Sequence, residues 1–414
     1  MVVYTATHVL PVSARPLRDA AVAVEGDTIA AVGPREPVLA AAGNGCEVRR
    51  LGRAAVLPGL VNAHCHVELS WLGEDRPPGG DAVAWVRGLL ARRAAEDATR
   101  SLEAARRAIA TMVARGTVAL ADVANADWVA PLLAESPLFG ILFHEIYGPR
   151  AADAETLLLQ GARRVESIDA ALARAGGRWR VILAPHAPHT TSEPLLRALA
   201  GRSAAAREPV SIHVAESAAE VDLLRDGCGD FAALFRERGG LGDAWRAPGA
   251  TPVEQLDRLG LLTPRTLAVH CVRLLQQDVS RLQARGVRVV TCPRSNAYLG
   301  VGRAPLPQLL GRGIPVALGT DSLASAPDLD LFAEMAALRR EHPGLTPAAV
   351  LRMATLNGAA ALGLDDRLGS IERGKLARLL VVPLANDEDP LAAVCGEPAE
   401  VFHLGAAPFE EARA

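Results

Sequence analysis

Apolar positions along the chain follow two regimes. Up to about residue 57, and again from about Arg367, they form short β-rich runs broken by turn residues. The first group is VVYTATHVLPV, AAVAVEGDTIAAVG and EVRRLGRAAVLPG, with Glu25-Gly26-Asp27 and Val32-Gly33-Pro34 as turns; the second is LGSIERGKLARLLVVPL and AEVFHLG. Between the two groups lie eight strand-like runs: AAVLPGLVNAHCH, GTVALADVA, FGILFHEI, RWRVILAPHAP, PVSIHVAES, RTLAVHC, VRVVTCPRSN and IPVALGTDS. Segments such as SLEAARRAIATMVARG and QQDVSRLQARG separate them, with apolar residues near helical spacing and a closing glycine that marks a C-cap.

Eight strand–helix units predict an α/β protein with a (β/α)8 TIM-like barrel over residues 58–364. The ends, 1–57 and 365–414, predict a small discontinuous β-sandwich domain. A doubly wound open sheet is the alternative, but no GxGxxG follows the first strand, and the barrel is preferred. The connection over 217–263 is long enough to build a lid or a substrate wall. Its Phe231, Phe235 and Trp245 offer either a stacking surface or a mini-core for the insertion itself.

Composition narrows the function classes. Of 414 residues, 50% are hydrophobic and 22% charged, which excludes a disordered or collagen-like chain. The net charge of −3 contains no block of like charge, so neither a nucleic acid nor a membrane surface is an expected partner. The six cysteines have no paired spacing and read as reduced thiols of a cytoplasmic protein. The N-terminus has no basic region followed by an apolar one, and no 18-residue apolar stretch follows; neither secretion nor membrane spanning is expected. Of the 44 lysines and arginines together, only Lys375 is a lysine.

The histidines carry the chemistry. Six of the ten, His64, His66, His144, His186, His213 and His270, stand at or just past the end of a predicted strand. In a barrel those ends converge on one mouth. His64 and His66 point the same way because strand side chains repeat every two residues. That pair alone is weak evidence of a metal. Adding His213 after the fifth run and Asp321 after the eighth gives three imidazoles and a carboxylate on one edge, an open, catalytic type of donor set. Neither HExxH nor the CxxC with HxE of the cytidine-type zinc deaminases is present.

On the motifs PGLVNAHCH, IHVAE, AVHC, TCPRSNAYLGVG, ALGTDS and GSIERGKLA the chain resembles the amidohydrolase superfamily, in its branch of metal-dependent purine and pyrimidine deaminases and triazine hydrolases. The resemblance implies one divalent ion, zinc first, iron or manganese otherwise, bound by His64, His66, His213 and Asp321. It implies Glu216 as proton shuttle, His270 as the group that polarises water, and His186, Asn296 and Ser322 beside a small-molecule substrate; Trp245 is added from the insertion. The alternative for Glu216 is an exposed acid at a helix start, and His144 and His189 are expected to be structural or peripheral. Relatives that bridge two metals use a carboxylated lysine at the fourth strand, where this chain reads LAPHAPH. A single metal is therefore expected. The reaction implied is hydrolytic deamination of an aminopurine nucleoside such as 6-aminodeoxyfutalosine, of the menaquinone pathway, or adenosine. The rivals are S-adenosylhomocysteine or methylthioadenosine deamination, guanine deamination and triazine dechlorination. A non-catalytic metal-binding homologue is the rival from another class. Arg87, Arg150 and Arg294 are candidates to grip a substrate carboxylate, and a homodimer is common among relatives.

Overall fold

The computed structural model describes residues 1–241, 245–385 and 389–404; parts of the insertion (242–244) and of the expected terminal β-domain (386–388 and 405–414) lie outside them. The chain divides into two compact units. One comprises Met1–Ala63, Thr111–Ala119 and Asp330–Ala414, the other His64–Ala110 and Leu120–Leu329.

In the first unit, strands β1 (Val2–Val9), β2 (Leu17–Glu25), β3 (Thr28–Pro34) and β4 (Glu47–Pro58) come from the N-terminal region. They share one six-stranded sheet with β13 (Leu379–Pro383) and β14 (Phe402–His403), in the order β14-β13-β4-β1-β2-β3. The two chain ends therefore meet in a single mixed sheet: β13 runs antiparallel to β4, with Val381 opposite Val56, while β1 runs parallel to β4. Alternation sorts its side chains. Tyr4, Ala6, Val9, Ala20, Val22 and Val381 belong to one buried cluster. Val3, Ala21 and Ala23 belong to another, with Val38 of the helix Arg35–Ala42. That helix interrupts what the sequence pattern reads as strands and turns only; REPVLAAA has Pro37 in its first turn, where proline is tolerated, and ends in Leu39 and three alanines, which are good helix formers.

All eight internal runs contain a strand. They are β5 (Leu60–Cys65), β6 (Thr117–Ala124), β7 (Phe139–Ile146), β8 (Trp179–Pro185), β9 (Val210–Val214), β10 (Thr266–His270), β11 (Arg288–Thr291) and β12 (Val316–Leu318). They form two four-stranded sheets, β5-β6-β7-β8 and β12-β11-β10-β9. β7–β8, β9–β10, β10–β11 and β11–β12 all pair parallel. Near-complete burial of every strand explains their uninterrupted apolar runs, since parallel strands are covered on both faces. Backbone bonds also link the two sheets. The N–H of His213 donates to His186 O at 3.0 Å, and the N–H groups of Thr320 and Asp321 donate to His64 O at 3.0 and 3.1 Å. Among the described residues no helix is long and apolar enough to cross a membrane.

The insertion after β9 is helical at Ala218–Asp226, Gly229–Glu237 and Pro252–Arg258. Phe231, Phe235 and Trp245 pack there with Leu223 and Leu234 and with Val83 and Val86 of the helix Ala82–Arg93, so they do form an apolar cluster for the insertion. Arg87 of the same helix makes a two-pronged ion pair with Glu237, at 2.5 and 2.9 Å.

Close packing between β6, β7 and β8 makes Gly140 a sensitive position. A Cβ there would lie 2.0 Å from Leu120 O and 2.8 Å from Trp179 Cζ3. Gly140→Ala is expected to cost about 2–3 kcal/mol through overpacking, read as a lowered urea midpoint at unchanged m-value.

Candidate metal centre and active site

Strand ends deliver the functional side chains. His64 lies within β5 and His66 directly after it; His213 and His270 close β9 and β10; Asp321 follows β12. The β12 end can press against β5 because residue 319 is glycine, where a Cβ would meet His64 Cβ at 2.8 Å and Cys292 Sγ at 3.1 Å. Two of the delivered positions, and Ala215 beside Glu216, are conformationally costly. Ala215, His270 and Asp321 adopt positive φ of 51°, 70° and 59°, a region L-residues occupy only when their surroundings enforce it.

One ring nitrogen from each of His64, His66 and His213 falls within a sphere of mutual distances up to 4.8 Å. His66 Nε2 and His213 Nε2 are 3.3 Å apart. Asp321 Oδ1 faces the same space, 3.8 Å from His66 Nε2 and 4.0 Å from His64 Nε2. The other carboxylate oxygen, Oδ2, accepts hydrogen bonds from Ser295 Oγ at 2.5 Å and Ser325 Oγ at 3.1 Å. His213 Nδ1 donates to His186 O at 2.8 Å, which leaves Nε2 as the free donor atom toward the cluster.

Electrostatics suit a cation. Burial, reinforced by neighbouring imidazoles, holds His64 and His213 well below the usual histidine range, so both are neutral and can offer lone pairs. Burial alone would push Asp321 up, but His66, His270 and the Ser295 hydroxyl outweigh it and the carboxyl stays low and ionised. Cys65, between the paired histidines, is driven the other way. Burial raises its thiol well above the usual range, so it stays protonated and is no competing ligand. Three imidazoles and a carboxylate oxygen are a donor set that fits a divalent ion of the zinc type.

Beside this cluster, Glu216 Oε1 lies 3.5 Å from His270 Nε2. His270 Nδ1 is paired with Asn296 Oδ1 at 2.9 Å; with the ring N–H donating there, Nε2 and Glu216 can hold one proton between them. Burial pushes the Glu216 carboxyl up. His186 is lowered to about 3 by burial, and its Nδ1 is engaged with Thr190 Oγ1 at 2.7 Å. Ser322 is fully buried, its Oγ 3.5 Å from Ser325 Oγ. Trp245 stands apart from this group, in the insertion's apolar cluster. His144 is buried within β7, while His189 packs its ring on Phe231 at 4.7 Å between centroids. Arg87, Arg150 and Arg294 already carry carboxylate partners in Glu237, Asp153 and Asp328.

The structure adds residues that pattern reading missed. Ser295 and Ser325 support Asp321, and Ser295 is the residue before Asn296 in CPRSN. Glu145, at the end of β7, puts Oε1 3.7 Å from His213 Nδ1. Its place one residue past His144 in FHEI is a visible signal, since a strand-end acid shares the edge of the strand-end histidines.

Parallel strands bring three imidazoles, a carboxylate and the Glu216–His270 pair to one edge, a donor set with an acid beside it that suits metal-dependent hydrolysis. Residues 55–402 match the amidohydrolase family. The 5-methylthioadenosine/S-adenosylhomocysteine deaminase of Syntrophobacter fumaroxidans is 35% identical over 386 residues, 87% of this chain and 79% of that protein. The aminodeoxyfutalosine deaminase of Deinococcus radiodurans is 32% identical over 377 residues, 86% of this chain and 83% of that one. A zinc-bound adenosine deaminase structure from Xanthomonas campestris aligns with a TM-score of 0.79 at 28% identity, covering 97% of this chain and 91% of that one. The aminofutalosine deaminase of Helicobacter pylori reaches 0.82 at 21% identity over 97% of both chains, a likeness of fold. The chain belongs to the amidohydrolase family. It is a hydrolase acting on carbon–nitrogen bonds, a deaminase.

The hydroxyl support of Asp321 gives a test of the donor set. Ser295→Ala removes the 2.5 Å bond without touching a ligand. Affinity for zinc, followed by chelator competition, is expected to fall about 10-fold or more.

Proposed function

We propose that the chain hydrolyses the exocyclic amino group of an aminopurine nucleoside, with 6-aminodeoxyfutalosine and adenosine as the leading substrates. The observation that carries this reading is the Glu216–His270 pair at 3.5 Å beside the imidazoles and Asp321. One divalent ion, zinc first, held by His64, His66, His213 and Asp321, supplies Lewis acidity that draws the pKa of water towards neutrality.

The chain's own residues handle the protons. Glu216 takes one from the attacking water at a carboxylate oxygen, which its raised affinity for protons favours. It delivers that proton to the ring nitrogen next to the carbon under attack, and then assists the departure of ammonia. His270, oriented by Asn296, holds the water's line of approach and shares the proton at Nε2. His186 is neutral and its Nδ1 is taken, so Nε2 is the atom it offers a heterocycle or sugar. Asn296 and Ser322 complete the proposed substrate set, and Trp245 remains with the insertion's apolar cluster. The same proposal reads residues 58–364 as one (β/α)8 barrel, supported by the bonds linking its two sheets through His64 O and His186 O. It reads 1–57 with 365–414 as the appended β-domain, supported by the β13–β4 pairing.

A second reading, deamination of methylthioadenosine or S-adenosylhomocysteine, draws on the 35% identity to the Syntrophobacter fumaroxidans enzyme. Both readings share the chemistry and differ in what the 5′ substituent meets.

Glu216→Gln is expected to retain about one metal ion per chain and to lower ammonia release at least ~100-fold. Parent-like turnover in that variant would remove Glu216 from the reaction. Ammonia release from a panel of aminodeoxyfutalosine, adenosine, S-adenosylhomocysteine, methylthioadenosine, guanine and cytosine separates the readings. The highest kcat/KM is expected for one of the first two; a lead for either sulfur nucleoside selects the second reading, and a lead for guanine or cytosine defeats both.

A further inference from the structure

The turn that carries Glu216 is gripped by a second carboxylate to which the reaction assigns no step. Glu220 is 1% exposed. Its Oε1 accepts the N–H of Ala215 at 3.0 Å and its Oε2 accepts the N–H of Glu216 at 2.8 Å. Glu220 is the third residue of the helix Ala218–Asp226, whose N-cap Ser217 accepts the Glu220 N–H. An acid at that position ordinarily turns back to the N–H of the N-cap itself. Glu220 instead reaches past Ser217 to the two residues before it, so its carboxylate serves the turn more than the helix. Ala215 needs that support, because its φ of 51° lies in the left-handed region.

The gripped turn is tied to the one bearing His270. Ala215 O accepts the N–H groups of Val272 at 3.0 Å and Arg273 at 2.7 Å, and Val214 O accepts that of Cys271 at 3.0 Å. His270 and Cys271 are themselves left-handed, at 70° and 50°. Two strained turns are thus bonded back to back, and the carboxylate of one meets the imidazole of the other at 3.5 Å. His189 flanks the Glu220 side, with Nδ1 3.8 Å from Oε1.

We propose that Glu220 is a positioning residue for deamination: it locks the Ala215–Glu216 turn and so holds the Glu216 carboxylate against His270. This rests on the reading of Glu216 as proton shuttle. The two bonds require two acceptor oxygens at one reach, which neither glutamine nor aspartate provides. In Glu220→Gln the amide NH2 confronts one N–H; in Glu220→Asp the carboxylate is withdrawn by a methylene.

Steady-state kinetics on adenosine or aminodeoxyfutalosine, whichever is turned over faster, with metal analysis of the same samples, provide the test. Glu220→Gln is expected to lower kcat about 10- to 100-fold while KM stays within about twofold. Metal content is expected to match the parent. Glu220→Asp is expected to lose kcat in the same direction. A parent-like kcat in Glu220→Gln, or in Glu220→Asp should the first not fold, overturns the proposal. So does a loss accompanied by loss of metal, or failure of both variants to fold, since either makes the carboxylate part of the scaffold alone. An active Glu216→Gln strikes the shuttle reading itself; an inactive Glu216→Gln beside an unimpaired Glu220→Gln strikes only the role given to Glu220.

Discussion

Crowding of like groups is the constraint on which the rest depends. His64, His66, His213 and His270 are buried; the His64 ring lies 4.8 to 5.8 Å from the other three, and the His213 ring 5.4 Å from those of His66 and His270. Charged imidazolium groups at that spacing in a dry interior would repel strongly, so burial keeps His64 and His213 neutral. His66 Nε2 and His213 Nε2, 3.3 Å apart, converge with a ring nitrogen of His64 on one space that a cation would fit. Asp321 Oδ1 faces the same space, and its carboxyl is held low against its own burial by His66, His270 and the Ser295 hydroxyl. Together these donors fit a divalent ion.

Holding that crowd requires backbone no single strand would adopt alone. The left-handed residues Ala215, His270, Cys271 and Asp321 all sit where β9, β10 or β12 gives way to a loop. Each such residue costs about 1–3 kcal/mol, which hydrogen bonds of the neighbouring turns offset. Thus Asp321 N–H docks on His64 O, and Cys271 N–H on Val214 O. The strain marks the edge where rigid strands end and chemistry begins.

Legibility in the sequence followed the range of the interactions involved. Eight buried strands announced themselves, because parallel strands covered on both faces are continuous apolar runs. Their histidines were readable as one group because strand ends share an edge. The helix Arg35–Ala42 was not, since eight residues of mixed composition lack a decisive period. That the two chain ends share a β-domain was readable from their matching β-rich runs, but not that β13 pairs with β4, since no local pattern encodes bonds between residues more than 300 apart. Glu220 escaped for a related reason. An acid four residues after Glu216 looks like an ordinary helix-start residue until its bonds are seen to run backwards.

The sole lysine and the many arginines bear on opposite halves of the functional question. Lys375 is buried and bonded to Ser370 at 2.6 Å and Glu372 at 3.4 Å, in the unit that holds the chain ends, while every proposed ligand belongs to the other unit. The end of β8 reads LAPHAPH and carries no lysine, in keeping with the proposal of a single ion. The arginines leave substrate choice more open. Arg150 pairs with Asp153 at the surface, where such a bond is worth about 0–1 kcal/mol and yields readily to a competing carboxylate. Arg294 holds Asp328 with two bonds at 2.7 and 2.8 Å and is mostly buried, so its partner is harder to displace.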